Sequence, residues 1–217
     1  MRLSEDKVTK LNSRVTQFLS TMDRYTFIVF DLETNGLSHL TDSVLSISAL
    51  KCNIKSRDKV TLVGSYNRYY YPEEGEEYNP GALAVNGLHE EVITERRKGA
   101  TYPREFLQDI DAFKEFCGDC VHFVGHNSIT FDQQFFKSRM EFPYMFDTKT
   151  FNEDIVEAAN EEGLRKPPRL SEAAVFYGID PTGPLHQSQW DAMLTAKVFQ
   201  AMLAKSEVKL DRRFLVT

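Results

Sequence analysis

One apolar run that ends in two carboxylates and a turn constrains the fold of this 217-residue chain. The letters FIVF at positions 27–30 are followed by Asp31, by Glu33 two positions later and by an Asn-Gly turn signal at 35–36. Four consecutive large apolar residues predict a central strand that is covered on both faces. Because strand side chains alternate between the two faces, Asp31 and Glu33 point the same way. Two like charges at the edge of a core need a shared proton or cation, so this stretch predicts a cation site.

The composition bounds the rest of the chain. It is 41% hydrophobic and 12% aromatic, which is enough for one sizeable core. We expect a soluble, cytoplasmic protein, because no apolar run is long enough to span a bilayer and the N-terminus is charged and polar. The three cysteines, Cys52, Cys117 and Cys120, are an odd number, which argues against a secreted disulfide framework. A lone C-x-x-C also excludes a zinc ribbon built from two such pairs.

The charge balance needs a separate argument. The chain has 26 basic and 32 acidic residues, a formal net charge of −6, which does not suit a protein that binds nucleic acid through a basic surface. An enzyme that meets phosphate through bound divalent metals can nevertheless be acidic, because the metals supply the local positive charge. Net charge therefore leaves nucleic-acid chemistry open.

Hydrophobic periodicity predicts the order of helices and strands. An amphipathic helix over 4–23 precedes the acidic strand, and strands over 44–54 and 60–71 follow it as a hairpin. Helical segments are then predicted at 80–85, 89–97, 103–117, 132–140, 149–159, 171–177 and 189–204, with short strands at 121–124 and near 146. A three-strand meander that leads into alternating strands and helices gives an α/β fold, a mixed five-stranded sheet flanked by helices. This order is typical of an RNase H-like sheet.

The N-terminal helix has two readings. Its apolar stripe, which includes Val8, Leu11, Val15 and Phe18, either docks a partner or packs on its own domain, and the second reading is favoured. We expect an N-terminal amphipathic helical extension at 1–24, one catalytic domain at 25–205 and a charged, peripheral tail at 206–217.

Two more acids stand where an apolar residue would begin a helical stripe. Asp132 shares its face with Phe135, Phe136 and Met140, and Asp191 shares its face with Leu194, Thr195, Val198 and Met202. A carboxylate near a helix N-terminus is favoured by the helix dipole but still needs a partner when it faces the core. His186 lies five residues before Asp191, out of phase with it, so we expect it on the loop 181–188. A histidine near these acids can take a proton from water around neutral pH.

Three motifs in order carry a family resemblance. They are DLETNG at 31–36, His126-Asn127 followed by Phe131-Asp132, and His186 followed by Asp191-Ala192. Together they resemble the exonuclease motifs of the DnaQ-like 3′→5′ exonucleases, DEDDh subgroup, over about residues 25–204, and imply an RNase H-like exonuclease fold. The second motif has three residues, 128–130, between its Asn and its Phe-Asp pair, where most members have two. This spacing resembles eukaryotic three-prime repair exonucleases more than the bacterial proofreading (DNA polymerase III epsilon-like) members.

The resemblance implies a mechanism and a substrate. Asp31, Glu33, Asp132 and Asp191 would bind two divalent ions, Mg²⁺ or Mn²⁺, with His186 as the general base. The substrate would be a nucleic acid with a free 3′ end, with single-stranded DNA favoured, and the products nucleoside 5′-monophosphates. Positions that line the terminal nucleotide in relatives are occupied here by Thr34, Leu37, Asn127 and Phe131. A polymerase or other protein partner is compatible with the resemblance, and a membrane is not expected.

Alternative functions remain open at this point. The carboxylates do not distinguish DNA from RNA, so a 3′→5′ exoribonuclease of the same subgroup is the competing enzyme. A non-catalytic subunit that uses the fold to bind a partner is less favoured, because its acid set would not need to be intact. The Tyr69-Tyr70-Tyr71 run is interpreted as part of a core-covering strand rather than as a base-stacking surface.

Overall fold

The computed structural model describes residues 3–183 and 186–215. Residues 1, 2, 216 and 217, at the ends of the predicted extension and tail, and residues 184 and 185 of the predicted loop lie outside the described residues. No helix within the described ranges is long and apolar enough to cross a membrane.

A mixed sheet organises the described residues. Its five strands lie in the order β3-β2-β1-β4-β5. The β1–β2 and β2–β3 pairs are antiparallel, whereas β4 runs parallel to β1 and to β5. The meander and the α/β alternation predicted from the sequence are therefore confirmed. The strands are β1 (Thr26–Thr34), β2 (Val44–Ser56), β3 (Lys59–Tyr69), β4 (His122–Gly125) and β5 (Tyr144–Asp147).

Helices cover both faces of the sheet. On one face α6 contacts β1, and Phe27 and Val29 of β1 join its core; on the other face Ile28 and Phe30 pack into a core that includes α4. Asp31 and Glu33 continue the alternation of Phe27 and Val29, so they emerge on the α6 side. The helices are α1 (Glu5–Ser20), α2 (Pro80–Asn86), α3 (Glu90–Arg96), α4 (Ile110–Cys117), α5 (Leu170–Phe176) and α6 (Ser188–Lys205).

The N-terminal helix packs on the body of the protein. The Ser4 hydroxyl accepts the backbone N–H of Lys7 at the start of α1, which satisfies one of the free amides there. Leu11, Val15 and Phe18 are buried in the core shared with α6, so the predicted apolar stripe is covered by the protein itself. The described part of the tail also contacts the body, because the Tyr25 backbone N–H donates to the carbonyl of Phe214 at 2.9 Å.

Three helical predictions were wrong or too long. The segment 103–117 forms a 3₁₀ turn at Phe106–Gln108 and only then α4, because its first residues are held to the end of the meander: the Tyr71 N–H donates to the carbonyl of Arg104. Asp132–Phe136 is a 3₁₀ helix, ended by Lys137 and Ser138 with positive φ angles, instead of a helix to 140.

The segment 149–159 was also predicted helical, but only Thr150–Asn152 forms a 3₁₀ turn. The buried Asn152 amide donates to the carbonyl of Thr148 at 2.7 Å, and the Tyr177 hydroxyl donates to its oxygen at 2.7 Å. These side-chain bonds compete with a helical ladder for the same backbone.

The tyrosine run lies at the end of β3, as expected for a strand that covers the core. Tyr70 is fully buried, and its hydroxyl donates to the carboxylate of Asp109 at 2.9 Å. Tyr69 and Tyr71 are half-buried beneath the guanidinium groups of Arg96 and Arg104. None of the three is a fully exposed ring.

Candidate active site

Three carboxylates meet at the end of β1. Asp31 and Glu33 project from that strand, and Asp191 projects from the first turn of α6, which packs on β1. One carboxylate oxygen from each of the three lies within 4.8 Å of the others. The alternation of the strand and the N-terminal placement of the acid on α6 thus bring together two segments that lie far apart in sequence.

Asp132 joins these acids from the segment after β4, the strand next to β1. It begins the 3₁₀ helix after β4, is only 3% exposed, and its Oδ1 accepts the backbone N–H of Leu32 at 3.0 Å. Leu32 lies between Asp31 and Glu33, so this bond holds Asp132 beside both. We call Asp31, Glu33, Asp132 and Asp191 the acidic cluster.

The protonation of the acidic cluster reflects its crowding. Burial raises the pKa of Asp31 well above its ordinary value, and the charges of the other three acids raise it further. Burial, followed by the Asp191 and Asp132 charges, raises the pKa of Glu33 to about 8. Burial raises the pKa of Asp132 to about 7, although the Leu32 N–H opposes the shift. The cluster therefore binds protons at neutral pH unless a cation replaces them.

The donor set fits divalent cations. Burial raises the pKa of Asp191, whose Oδ2 accepts the backbone N–H of His186 at 2.9 Å. Its Oδ1 is buried without a hydrogen-bond partner within the described residues. A buried carboxylate oxygen normally has a partner, and hard oxygen ligands suit Mg²⁺ or Mn²⁺. This free oxygen and the crowded carboxylates agree with the cation site predicted from the sequence.

His186 lies at the rim of the site. It is exposed, has a φ angle of 61° and lies in the turn two residues before α6. It lines the same cleft as the acidic cluster, and the hydrogen bond that its backbone N–H donates to Asp191 holds its backbone beside that cluster. The expectation of a loop histidine beside the acids agrees with this placement, and its role as a base stays a proposal.

A cleft of about 870 Å³ opens above the acidic cluster. All four predicted substrate contacts line it, but they differ in availability. Leu37 is 87% exposed, whereas the Thr34 hydroxyl donates to the carbonyl of Gly36 at 2.6 Å. Phe131 is half-buried against the edge of Phe135, and Asn127 has a φ angle of 73°.

One wall of the cleft comes from α2, for which the sequence predicted no role. Ala82 and Val85 line this wall, and Asn86 anchors it by donating to the carbonyl of Thr34 at 3.0 Å. The Asn35 amide also donates to the carbonyl of Glu77 at 2.8 Å, so the turn after β1 holds the segment that leads into α2. The available signal was the pair Asn79 and Asn86 at the two ends of this segment, but their roles depend on the turn that lies beside them.

Asp147, at the end of β5, organises the opposite wall. It is fully buried, and its carboxylate accepts backbone N–H groups from Asn127, Ile129, Lys149 and Thr150 at 2.9 to 3.3 Å. These bonds hold Asn127 in its left-handed conformation and set the start of the turn that leads to Asp132. The sequence carries a signal for this role of Asp147, because the apolar strand at 144–147 ends in an acid, as β1 does.

His126 also lines the cleft. Its Nδ1 lies 3.0 Å from the Thr148 hydroxyl, and burial lowers the pKa of its imidazole to about 4. It is therefore neutral at physiological pH and adds no positive charge to the cleft.

A mixed sheet in this order, with carboxylates at the end of its central strand, defines the RNase H-like class of folds. A family model described as "RNase_T: Exonuclease" matches residues 28–199. The chain belongs to this exonuclease family, a DnaQ-like family of 3′→5′ exonucleases that generally use divalent metal ions. The protein is therefore a nuclease, an enzyme of the hydrolase class.

Curated relatives include DNA polymerase III PolC-type proteins. The protein from Latilactobacillus sakei is 33% identical over 115 residues, which are 53% of this chain and 7% of that protein. The protein from Staphylococcus haemolyticus is 25% identical over 185 residues, which are 82% of this chain and 11% of that protein. The chain thus spans about a tenth of the length of these relatives.

Solved structures of Escherichia coli exonuclease I share the fold. The complex with a dA16 oligonucleotide has a TM-score of 0.59 at 19% identity and covers 84% of this chain and 41% of that one. A zinc-bound complex of the same enzyme with single-stranded DNA has a TM-score of 0.58 at 17% identity and covers 84% of this chain and 41% of that one. At this level of identity the likeness shows the fold alone.

Proposed function

We propose that the protein removes nucleotides from the 3′ end of single-stranded DNA by hydrolysing phosphodiester bonds and releases nucleoside 5′-monophosphates. The observation that carries the proposal is the convergence of Asp31, Glu33 and Asp191, with Asp132 beside them, at the floor of an open cleft. Membership of the exonuclease family supports the reaction class. The single-stranded DNA in a complex of Escherichia coli exonuclease I supports the choice of substrate.

The four acids have the role of metal ligands in this proposal. Asp31, Glu33, Asp132 and Asp191 would hold two divalent cations, Mg²⁺ or Mn²⁺. When bound, such cations lower the pKa of a water nucleophile and stabilise the leaving 3′-oxygen. Because the pKa values of Asp31 and Glu33 are raised, the acidic cluster would release protons when it binds cations.

His186 would act as the general base and accept the proton of the attacking water. Its exposure leaves the imidazole open to solvent, and the hydrogen bond from its backbone N–H to Asp191 keeps its backbone beside the acidic cluster. Thr34, Leu37, Asn127 and Phe131 would contact the terminal nucleotide from the two sides of the cleft. Phe131 and Leu37 offer apolar surface against which a base can pack.

A nuclease assay with matched substrates tests the proposal. A 5′-labelled single-stranded DNA and an RNA of the same sequence are incubated with the protein and Mg²⁺, with and without EDTA. We expect a ladder that shortens from the 3′ end and disappears with EDTA. Asp31→Asn and His186→Ala should each reduce the rate at least about a hundredfold, since a ligand or a base is lost.

Asp119→Asn is the matched control, because Asp119 is exposed and does not line the cleft. Equal rates for Asp31→Asn and the wild type would refute the mechanism. Faster degradation of the RNA would favour the alternative function, that of a 3′→5′ exoribonuclease. Absence of activity on both substrates would favour a non-catalytic binding subunit, and the PolC-type relatives make a polymerase the first partner to test in that case.

A further inference from the structure

The wall of the cleft opposite α2 has a cationic edge. Lys149 follows β5, while Lys166 and Arg169 come from the segment before α5, and all three line the cleft. Pro167 and Pro168 lie between the last two and line it as well. These cations stand out in a chain whose formal net charge is −6. The cleft therefore has a floor of acids and one cationic side.

Lys149 differs from Lys166 in its partner. The Lys166 ammonium lies 2.5 Å from the carboxylate of Glu172, which neutralises it locally. The Lys149 ammonium instead donates to the neutral amide oxygen of Asn127 at 3.0 Å, and no carboxylate within the described ranges lies at ion-pair distance from it. Lys149 therefore keeps a full positive charge available to an anion at the edge of the cleft.

The position of Lys149 is fixed by the backbone. Its N–H and the N–H of Asn127 both donate to Oδ1 of the buried Asp147 at 2.9 Å. The Asn127 amide oxygen also accepts the Thr130 hydroxyl at 2.9 Å, so the group that receives the ammonium is itself held. A lysine held in this way loses little further freedom when it meets a phosphate.

The charge of Lys149 lies on the wall, whereas the scissile phosphate must lie at the acidic cluster on the floor. Lys149 contacts Asn127. In the proposed function Asn127 contacts the terminal nucleotide, so Lys149 would lie next to the sugar-phosphate backbone that leads away from that nucleotide. We propose that Lys149 forms a subsite for a backbone phosphate adjacent to the scissile one, with the exposed Arg169 extending the cationic path. This inference rests on the proposed function and adds a recognition site for an oligonucleotide chain.

A comparison of two substrates tests the subsite. The first is a fluorescein-labelled (dT)₁₂ oligonucleotide, and the second is the p-nitrophenyl ester of thymidine 5′-monophosphate, which has a scissile phosphodiester and no second phosphate. Lys149→Met should raise KM for the oligonucleotide about three- to tenfold with little change in kcat, and should change KM for the ester by less than about twofold. Lys149→Arg should restore most of the oligonucleotide KM, since it keeps the charge.

Salt dependence provides a second readout. The slope of log kcat/KM against log salt concentration should become shallower by about 0.7 in Lys149→Met, as expected for the loss of one single-strand phosphate contact. Lys114→Met is the matched control, because Lys114 is on α4, pairs with Asp111 and does not line the cleft. It should change neither the KM nor the slope.

Binding separates this inference from the proposed function. Fluorescence anisotropy of the labelled (dT)₁₂ with Ca²⁺ measures affinity without turnover, and Lys149→Met should bind about three- to tenfold more weakly than the wild type. If the wild type cleaves neither substrate, the proposed function fails, while this measurement still decides the subsite. Equal affinity, KM and salt slope in Lys149→Met and the wild type would overturn the subsite, and so would an equal loss on the ester.

Discussion

At the scale of single residues, the crowding of the acidic cluster determines its chemistry. Asp31 and Glu33 lie side by side because they occupy alternate positions of one strand, and α6 brings Asp191 within 4.8 Å of them. The pKa of Glu33 is raised to about 8, first by burial and then by the Asp191 and Asp132 charges. The site is therefore stable only when protons or cations balance the negative charge.

This crowding predicts how the stability of the metal-free protein depends on pH. The pKa of Glu33 is about 8 in the folded protein and near 4.5 when unfolded, so the folded state binds more protons between these values. Stability therefore falls as the pH rises through that window. We expect the free energy of unfolding in EDTA to be on the order of 2–4 kcal/mol lower at pH 8.5 than at pH 5.5, measured by urea denaturation.

Two comparisons control for other titrating groups. Glu33→Gln should reduce the pH dependence without abolishing it, because Asp31 and Asp132 also have raised pKa values. Glu74→Gln, at an exposed position in the loop before α2, should leave it in place. Mg²⁺ should restore stability at pH 8.5, since the cation replaces the protons. A pH profile that is the same in Glu33→Gln and in the wild type would contradict the assignment of the effect to this carboxyl.

The sequence was sufficient to predict which acids would meet but not what surrounds them. Asp31 and Glu33 follow from the two-residue period of a strand, and Asp191 follows from the apolar stripe of α6. Asp147 and Lys149 were missed, because their importance depends on the fold of the turn at 126–130, which has no periodicity. A side chain that accepts hydrogen bonds from backbone amides of a turn produces no periodic pattern of residues in the sequence.

At the scale of elements, the start of α6 is fixed to the sheet by three hydroxyl groups. The Ser188 Oγ lies 2.9 Å from the Oγ of Ser46 and 2.9 Å from the Oγ of Ser48. Ser46 pairs with Glu33 and Ser48 pairs with Asp31 across β1 and β2. The bonds therefore link the helix that holds Asp191 to the strand beside the other two acids.

Ser188→Ala tests this link. The substitution removes one hydrogen-bond partner from each of the buried hydroxyls of Ser46 and Ser48. We therefore expect a loss of about 1–2 kcal/mol in the free energy of unfolding. The affinity for Mn²⁺, measured by calorimetry, should fall roughly two- to tenfold, because the ligands are less well held. Ser13→Ala, at an exposed position on α1, is the control and should lower neither quantity. Unchanged Mn²⁺ affinity in Ser188→Ala would limit the hydroxyls to a packing role.

Elements were predicted well where they have a long apolar pattern and poorly where side chains bind the backbone. The strands β1 to β3 and the helix α6 carry such patterns over nine or more residues and were predicted near their observed bounds. The helix predicted at 132–140 ends early because Lys137 and Ser138 take positive φ angles. Its apolar stripe still places Phe135 and Phe136 in the core, so the position of Asp132 was predicted despite the wrong helix type.

At the scale of the whole molecule, α1 closes the core on the α6 face of the sheet. The order of strands and helices predicted the sheet, because short right-handed connections leave few ways to arrange a meander and two parallel strands. The cover provided by α1 was less determined, since an amphipathic helix can pack on its own domain or on another protein. Its buried stripe now adds Phe18 to a group of rings with Phe146 and Phe199.

Phe18→Ala tests the role of α1 in the fold. Phe18 is 6% exposed and lies with its centroid 5.3 Å from that of Phe146 and 5.8 Å from that of Phe199. Removing the ring leaves a cavity in the core, so the free energy of unfolding should fall by about 3–5 kcal/mol in urea denaturation. Gln17→Ala, at the exposed neighbouring position, should change it by less than about 0.5 kcal/mol.

The metal affinity of the folded Phe18→Ala protein should stay within about twofold of the wild type, because the acidic cluster is built by β1, α6 and the turn after β4. A small effect of Phe18→Ala on stability would mean that the helix contributes little to folding and would make a docking role for α1 the better explanation of its apolar stripe.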